Sequence, residues 1–221
     1  MNLFLIDVDN TVYPKQLGVF DAIDVRINQY MKNLLGMSDE QIDKLRKFYW
    51  NKYGTTMSGL IKHYHIDPYH FLDYVHDIDI ESLIKPNPLL FNKIKSIKAV
   101  KIAFTNAPKK HAVRVLEALG IIDLFVDIFD IISADFKGKP NRYAYEKIIN
   151  KTKADRYAMI DDWEVNLKTA KALGFFTILV GESCVDGVDL CIKRFEDIKE
   201  ESMQFRKLDC LDKKVIIAHP N

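Results

Sequence analysis

The sequence of 221 residues carries almost no net charge and contains neither a long apolar run nor a glycine-rich phosphate loop. Its 32 basic and 31 acidic residues give a formal charge of +1, which provides no attraction to nucleic acid or to an anionic membrane. The unbroken apolar runs, such as Leu3–Ile6, are far shorter than the roughly 20 residues of a membrane-spanning helix. Without a P-loop, a nucleotide would serve as a substrate and not as an energy source.

Cysteine is also scarce. The three cysteines, Cys184, Cys191 and Cys210, are an odd number without C-x-x-C spacing, which disfavours both a disulfide framework and a zinc knuckle. The first residues have neither the basic segment nor the small-residue cleavage site of a secretory signal. With a hydrophobic content of 48%, these features predict a soluble, globular, cytoplasmic protein of one or two domains.

Short apolar runs alternate with helical patterns along most of the chain, as in βαβ units. The predicted strands are Leu3–Ile6, Lys101–Phe104, Ile128–Ile132, Tyr157–Ile160 and Phe176–Val180. Between the third and fourth predicted strands, Pro140 is placed to open a helix over Asn141–Lys151. Between the fourth and fifth, a second helical pattern ends at Gly174. The alternation predicts an α/β fold with a doubly wound parallel sheet.

The segment from residue 15 to residue 85 interrupts this alternation because it contains no convincing strand. Within it, Ser38 and Gln41 form a capping-box pattern ahead of the apolar-periodic stretch Ile42–Tyr53. We therefore predict an inserted all-helical cap domain over residues 15–85 and a catalytic core formed by residues 1–14 and 86–205. The tail, residues 206–221, is expected to be an added strand or disordered.

Polar side chains that suit phosphate chemistry follow four of the predicted strands. In chain order, they are Asp7 and Asp9, then Thr105 and Asn106, then Lys139, then Asp161 and Asp162. Ligands of open α/β sheets bind outside the carboxyl ends of the strands. Carboxylates in that position suit a divalent cation or a nucleophile, and hydroxyl, amide and lysine groups can bind phosphate oxygens. Taken singly, each group also fits an ordinary structural role, such as a solvated turn, a helix cap or a solvated lysine.

In this combination and order, the residues resemble the four motifs of the haloacid dehalogenase superfamily, over residues 3 to about 180. The helical insertion lies where phosphatases of that superfamily carry a helical cap. A closer resemblance, to the pyrimidine 5′-nucleotidase-like subgroup, is carried by Asp9–Pro14, Tyr53–Leu60, His65–Pro68, Phe104–Ala107 and Asp161–Asn166. Trp163 departs from that pattern, since a serine is commoner at its position.

The resemblance implies a role for each motif residue. Asp7 would be the nucleophile that forms an aspartyl-phosphate, and Asp9 would act as general acid and then as general base. Mg²⁺ would be held by Asp7, the backbone carbonyl of Asp9, and Asp162, with Asp161 supporting it directly or through water. The phosphoryl oxygens would be bound by Thr105, Asn106 and Lys139. Because dehalogenases lack the second aspartate, Asp9 favours phosphate-ester hydrolysis.

The function implied is a Mg²⁺-dependent phosphomonoesterase acting on a small soluble phosphate, first of all a nucleoside (pyrimidine) 5′-monophosphate. The alternatives are the same chemistry on a sugar phosphate or a lysophospholipid, and a non-enzymatic, receiver-like phospho-aspartate signalling module. Substrate contacts in the cap are expected from Tyr53, Thr55, Thr56 and His63. The four histidines between residues 63 and 76 leave a zinc site open as another interpretation. We expect a small-molecule partner, neither nucleic acid nor membrane, and a monomer or homodimer.

Overall fold

The computed structural model describes residues 1–207, in which six parallel strands form one sheet. The strands are β1 (Asn2–Ile6), β2 (Val100–Phe104), β3 (Asp127–Phe129), β4 (Arg156–Asp161), β5 (Phe176–Val180) and β6 (Leu190–Ile192). They lie in the order β3-β2-β1-β4-β5-β6, and each neighbouring pair is parallel. The chain thus builds the sheet outward from β1 first on one side and then on the other, which places a topological switch point beside β1.

Helices cover both faces of the sheet, which confirms the predicted doubly wound α/β fold. The helices are α1 (Val19–Leu35), α2 (Asp39–Tyr53), α3 (Thr56–Tyr64), α4 (Pro68–Val75), α5 (Ile80–Leu83), α6 (Pro88–Ser96), α7 (Lys109–Ala118), α8 (Arg142–Thr152) and α9 (Glu164–Ala172). β1 lies at the centre because its side chains are apolar on both faces: Phe4 and Ile6 join one apolar layer, and Leu3 and Leu5 join the other. Within the described residues, no helix combines the length and the apolar character needed to span a membrane.

The helical insertion has an apolar core of its own. Helices α1 to α4 contribute buried residues such as Met31, Ile42 and Leu60 to a cluster that also includes Ile131, from the loop after β3. The short helix α5 differs, because Ile80 and Ile84 belong to the apolar layer of the sheet. The helical nature of the insertion is confirmed, whereas the domain boundaries at residues 14/15 and 85/86 stay a prediction.

Two helix starts follow from local sequence. The predicted capping box is present: the backbone N–H of Gln41 donates to Ser38 Oγ at 3.5 Å, and the backbone N–H of Ser38 donates to Gln41 Oε1 at 2.9 Å. At α8 the cap is Asn141, whose Oδ1 accepts the N–H of Tyr143 at 3.0 Å, so this helix begins one residue later than predicted. Pro140 lies just before the cap.

The third and sixth strands differ from the prediction. β3 ends at Phe129, before Ile132, because the side chain of Asp130 accepts the backbone N–H groups of Lys109 and Ser133 and turns the chain away from the sheet. β6 was not predicted, since three half-buried residues give too short a pattern to recognise.

The return of the chain from β5 to β6 also brings two cysteines together. Cys184 and Cys191 form a disulfide, with their Cα atoms 5.5 Å apart, contrary to the expectation drawn from their number and spacing. In the tail, Arg206 pairs with Tyr157 in an isolated antiparallel bridge. The expectation of an added strand or a disordered tail mainly concerns residues 208–221. These residues lie outside the described residues.

Candidate active site

The carboxyl ends of β1 and β4 bring two acidic motifs together. The strands pair in register, with Ile6 opposite Ile160, and the backbone N–H of Asp7 donates to the carbonyl of Ile160 at 3.0 Å. Asp7 therefore follows β1 beside the point where Asp161 ends β4. Both carboxylates are buried, so each needs a partner or a cation.

Lys139 is that partner within the protein. Its Nζ lies 2.7 Å from Asp7 Oδ1 and 2.7 Å from Asp161 Oδ2, although the residue is only 1% exposed. Burial opposes the charge of the ammonium group, but the two carboxylates outweigh this effect and raise the pKa of Lys139 above its usual value. The lysine predicted from the third motif is thus charged and bridges the first and fourth motifs.

The second motif fixes the backbone on which Lys139 lies. Thr105 follows β2, and its backbone N–H donates to the carbonyl of Phe129 at 3.1 Å. Asn106 donates from Nδ2 to the carbonyl of Lys139 at 2.7 Å and accepts the N–H of Lys139 on Oδ1 at 2.8 Å. Gly138 makes this approach possible, because a Cβ atom there would lie 2.3 Å from Asn106 Oδ1. The hydroxyl–amide pair is therefore adjacent to the other motifs, and its amide positions the lysine.

Three carboxylates form the one group of three or more acidic, histidine or cysteine side chains in residues 1–207 that could hold a metal ion. An oxygen atom from each of Asp7, Asp161 and Asp162 lies within 4.8 Å of the others. Burial raises the pKa of Asp7, against the opposing effect of Lys139. The surrounding protein removes water from the carboxylate of Asp162; this desolvation and then the charge of Asp161 raise the pKa of Asp162 to about 7, although the residue as a whole is exposed. A divalent cation bound to oxygen ligands would offset this repulsion.

Asp9 lies beside this group, and its side chain has different partners. Its Oδ1 accepts hydrogen bonds from the Tyr13 hydroxyl at 2.6 Å and from His111 Nε2 at 2.8 Å. Burial alone would raise the pKa of Asp9, but the His111 ring and the two hydrogen bonds outweigh it and lower the pKa to about 2. Burial and the charge of Asp9 raise the pKa of Tyr13, which keeps its hydroxyl a donor.

His111 and Asn166 were not predicted as site residues. Asn166 is buried, and its Nδ2 lies 2.9 Å and 3.0 Å from the two oxygens of Asp161, which it holds against Lys139. His111 is 1% exposed and lies on the apolar face of α7. A histidine on a face otherwise formed by small and branched apolar residues is a signal that sequence reasoning could have used, because a buried polar ring needs a partner.

A cleft of about 320 Å³ lies between these strand ends and the helical insertion. We call its polar base the floor, which consists of Asp7, Asp9, Thr105, Asn106, Lys139 and Asp162. We call the side facing it the roof, which consists of Phe20, Ile23, Ile27, Trp50, Thr55, Thr56, Met57, Phe71, Leu72, Val75 and His76. The roof is predominantly apolar, and Lys15 also lines the cleft, so a ligand would meet the charged floor on one side and mainly hydrocarbon on the other.

The structure places the predicted cap contacts in two locations. Thr55 and Thr56 belong to the roof. Tyr53 and His63 are outside the residues that line the cleft, and they pair with each other through a hydrogen bond of 2.8 Å between the hydroxyl and Nε2. The ring of His63 also stacks on Tyr49 at 5.4 Å between centroids. In the described residues, the insertion's histidines do not form a metal-binding group.

A doubly wound sheet with acidic residues at the ends of its central strands β1 and β4, bridged by a buried lysine, is an α/β architecture with a candidate ligand site at its topological switch point. The family profile of the haloacid dehalogenase-like hydrolases matches residues 1–174, and the chain belongs to this family. The resemblance inferred from the four motifs is thereby confirmed at the level of the family.

Individual proteins are also similar to the chain. Phosphate metabolism protein 8 of Saccharomyces cerevisiae is 31% identical over 191 residues, which cover 78% of this chain and 59% of the yeast protein. The chain thus spans less than two thirds of that relative. The HAD phosphatase of Thermococcus onnurineus superposes with a TM-score of 0.59 at 15% identity, over 88% of this chain and 94% of the other. The magnesium-bound HAD-hydrolase YfnB of Bacillus subtilis superposes with a TM-score of 0.57 at 16% identity, over 88% and 95%. At these identities the two structures show a common fold.

Proposed function

We propose that the protein is a Mg²⁺-dependent phosphomonoesterase that hydrolyses a small phosphate ester through an aspartyl-phosphate on Asp7. The observation that carries this proposal is the convergence of Asp7, Asp161 and Asp162 within 4.8 Å beside a buried, charged Lys139. Phosphoryl transfer needs both a nucleophile and positive charge. Asp7 supplies the nucleophile, and Lys139 supplies part of the positive charge.

In the first half of the reaction, a carboxylate oxygen of Asp7 attacks phosphorus and the bond from phosphorus to the ester oxygen breaks. The Thr11 hydroxyl donates to Asp7 Oδ2 at 2.9 Å, and Lys139 donates to Oδ1, so the nucleophile is held in one orientation. The leaving oxygen takes a proton from Asp9, which lines the same cleft. Because, against the effect of burial, His111 and Tyr13 hold the pKa of Asp9 at about 2, the negative charge of the bound phosphate ester would have to raise that pKa for Asp9 to carry the proton.

In the second half, Asp9 accepts a proton from a water molecule whose oxygen attacks phosphorus. The bond between phosphorus and the Asp7 oxygen then breaks, which releases inorganic phosphate, restores the Asp7 carboxylate and leaves Asp9 protonated, as it was at the start. The phosphoryl oxygens would be bound by Lys139, by the Thr105 hydroxyl and by the second N–H of the Asn106 amide, whose first N–H is used on the Lys139 backbone.

The residues present fit a magnesium ion. Asp7, Asp162 and the backbone carbonyl of Asp9 would hold it, and they are the hard oxygen ligands that Mg²⁺ prefers. Asp161 would support the site from outside, because Lys139, Asn166 and the N–H of Trp163 already occupy its oxygens. The bound ion would neutralise charge that develops on the phosphoryl group.

A nucleoside 5′-monophosphate, and in particular a pyrimidine one, is the first candidate for the substrate. The resemblance of the insertion to the nucleotidase subgroup supports it, as do Trp50 and Phe20 in the roof, which offer aromatic surface to a flat ring. Thr55 and Thr56 could provide hydroxyl contacts at the same place. The cleft volume of about 320 Å³ lies at the small end of ligand pockets, which span about 300–1,000 Å³.

The apolar roof also supports the second candidate, a lysophospholipid. Ile23, Ile27, Met57 and Leu72 would suit a hydrocarbon chain better than a sugar. The small volume opposes it, because a long acyl chain would extend beyond the cleft. A sugar phosphate has many hydroxyl groups to hydrogen-bond, and the roof offers few polar side chains for them.

Phosphate release from a panel of nucleoside monophosphates, sugar phosphates and lysophospholipids tests both levels of the proposal. We expect hydrolysis of an aryl phosphate with Mg²⁺ and none with excess chelator. Without the metal ion, the three clustered carboxylates would repel the phosphate anion. Equal activity with and without metal would contradict the proposed metal dependence. Preference for a nucleotide or a lysophospholipid would decide between the two candidate substrates.

A further inference from the structure

The proton-transferring carboxylate of the proposed reaction is held by two side chains from different parts of the chain. Tyr13 lies four residues after Asp9, and His111 lies 102 residues after it, in the first turn of α7. Both side chains are buried, at 3% and 1% exposure. Their two hydrogen bonds converge on a single oxygen, Oδ1 of Asp9.

The convergence distinguishes the two oxygens of Asp9. Within the described residues, no hydrogen bond reaches Oδ2, while Oδ1 accepts two. A proton on Oδ1 would face two donors, so the proton that Asp9 carries as a general acid belongs on Oδ2. Since Asp9 lines the cleft, its unpartnered oxygen is the one available to a ligand.

The bonding fixes the state of the histidine ring. A carboxylate oxygen only accepts, so His111 Nε2 must carry the hydrogen of the 2.8 Å contact. His111 Nδ1 is buried and has no partner among the described residues. The ring of His76 packs against His111, with 4.8 Å between centroids, and is itself fixed by a bond from its Nδ1 to the carbonyl of Leu72 at 2.8 Å. Packing and hydrogen bonding therefore hold the His111 ring in one orientation.

We propose that His111 is a positioning residue of the reaction, which together with Tyr13 holds Asp9 Oδ1 and leaves Oδ2 to exchange the proton with the leaving group and with water. The inference rests on the proposed phosphomonoesterase function. It adds a residue outside the four motifs, and it assigns the two oxygens of Asp9 separate tasks. His111 does not touch the substrate in this role.

The test exploits the different reach of two amides. In a His111→Gln variant the amide nitrogen reaches approximately the position of the ring Nε2, whereas in His111→Asn it reaches only that of Nδ1. Both variants are polar and of similar size, so a purely structural role would affect them similarly. His70, which lies outside floor and roof and is exposed, provides the matched control as His70→Asn.

The readout is kcat/KM for 4-nitrophenyl phosphate, phenyl phosphate and an alkyl phosphate, with thermal unfolding of each variant alongside. We expect His111→Asn to lower the alkyl phosphate value by about 10- to 100-fold, a part of the ~10²–10⁴-fold contribution of a general acid. The loss should be about threefold or less for 4-nitrophenyl phosphate, whose leaving group needs little protonation. His111→Gln should stay within about threefold of wild type throughout, and Tyr13→Phe should show the same leaving-group trend as His111→Asn.

The outcomes separate this inference from the function on which it rests. A wild-type protein that hydrolyses none of the three esters contradicts the proposed function, and the positioning role with it. An active wild type whose Asn and Gln variants lose the same activity, or lose it equally for all leaving groups, contradicts the positioning role alone. If His111→Asn does not fold, the Tyr13→Phe trend decides, because that variant removes the other bond to the same oxygen.

Discussion

The floor and the roof of the cleft are constructed on different physical principles. In the floor, Asp7, Lys139 and Asn106 hold one another through hydrogen bonds of 2.7–2.8 Å between the ends of different strands. In the roof, residues such as Met57 and Leu72 belong to the insertion's own apolar core and present side chains that fix no ligand orientation. From this difference we expect chemistry and recognition to be separable: changes in the floor should alter kcat, and changes in the roof should alter KM.

The largest effect is expected within the floor, where Asp7 and Asp9 can be compared. Asp7→Asn removes the attacking oxygen, so turnover should fall to background on every substrate. Asp9→Asn leaves the nucleophile intact and should cost about 10²–10⁴-fold on alkyl esters and less on 4-nitrophenyl phosphate. Steady-state kinetics with both esters checks this, together with mass spectrometry of the acid-quenched enzyme for a phosphoryl adduct. If Asp7→Asn retains more activity than Asp9→Asn on the aryl ester, the two roles are reversed.

The floor was largely predictable from sequence, and the reason is periodicity. Apolar runs locate the strands, and in a parallel sheet all their carboxyl ends lie at one edge, so Asp7 and Asp161 were expected at the same edge. Lys139 lies ten residues after β3, an edge strand, and its place beside them was implied by the resemblance of the four motifs and not by the strand pattern. His111 was not predictable in the same way, because its partner is 102 residues away and its own helix gives no indication of which floor residue it meets.

The roof was less predictable for a related reason. The helical patterns locate α1 to α4, but they do not determine how the helices rotate against one another. Tyr53 and Thr56 are three residues apart, yet only Thr56 lines the cleft. The Cys184–Cys191 bond likewise depends on β6, a strand too short to recognise.

Gly138 in the floor's loop and Gly59 in the insertion are each closely approached by a side chain. A Cβ atom at Gly138 would lie 2.3 Å from Asn106 Oδ1, and one at Gly59 would lie 2.2 Å from Tyr49 Cγ. Gly138→Ala should displace Asn106 and the Lys139 backbone and lower kcat by about 10²-fold, the cost of a misplacement of about 1 Å. Gly59→Ala should instead lower stability, by about 1–3 kcal/mol, through overpacking in the insertion.

Kinetics and chemical denaturation of the two alanine variants check this prediction. A loss of kcat in Gly59→Ala that matches the loss in Gly138→Ala, at equal stability, would show that the two regions are not separable.

The contact of His76, a roof residue, with His111 should make the stability of the protein depend on pH. Burial and then the neighbouring His111 lower the pKa of His76 to about 4, from an ordinary value of 6.5. Between these values the unfolded chain binds more protons than the folded one, so the stability due to this group is lost as pH falls from about 6.5 toward 4. The full loss is at most about 3 kcal/mol, because one pKa unit corresponds to about 1.4 kcal/mol.

Denaturant unfolding at several pH values, for the wild type and a His76→Gln variant, measures this contribution. The wild type should lose more stability than the variant between pH 6.5 and pH 4. Parallel pH profiles for the two proteins would mean that His76 is free to take up a proton in the folded state.

Thr56 is the roof position at which recognition should be most visible. Thr56→Ala removes a buried hydroxyl and should raise KM for a nucleoside monophosphate about tenfold, the equivalent of one hydrogen bond of ~1.4 kcal/mol. An aryl phosphate should be affected much less, because it leaves that part of the cleft unfilled. Tyr53→Phe gives the contrast, since its hydroxyl bonds to His63 outside the cleft lining, and we expect less than a twofold change in KM. A larger effect of Tyr53 than of Thr56 would move the substrate site toward α2.

The smallest change in kinetics is expected at Trp163, which follows the floor residue Asp162 and contacts Trp50 of the roof. Trp50 and Trp163 are the two tryptophans of the chain, and their rings contact each other at 4.9 Å between centroids beside the cleft. Trp163→Ser, which introduces the residue commoner in the resembling subgroup, removes an aromatic pair of about 0.5–1.5 kcal/mol. We expect KM to rise about threefold with kcat nearly unchanged, because the N–H of residue 163 still donates to Asp161.

A Trp163→Phe variant leaves Trp50 as the sole tryptophan of the chain. Its tryptophan fluorescence should respond to phosphate-ester binding if roof and floor close on the ligand. A fall in kcat with KM constant would instead assign Trp163 to the floor, since its contribution would then lie in holding Asp161 and not in the contact with Trp50.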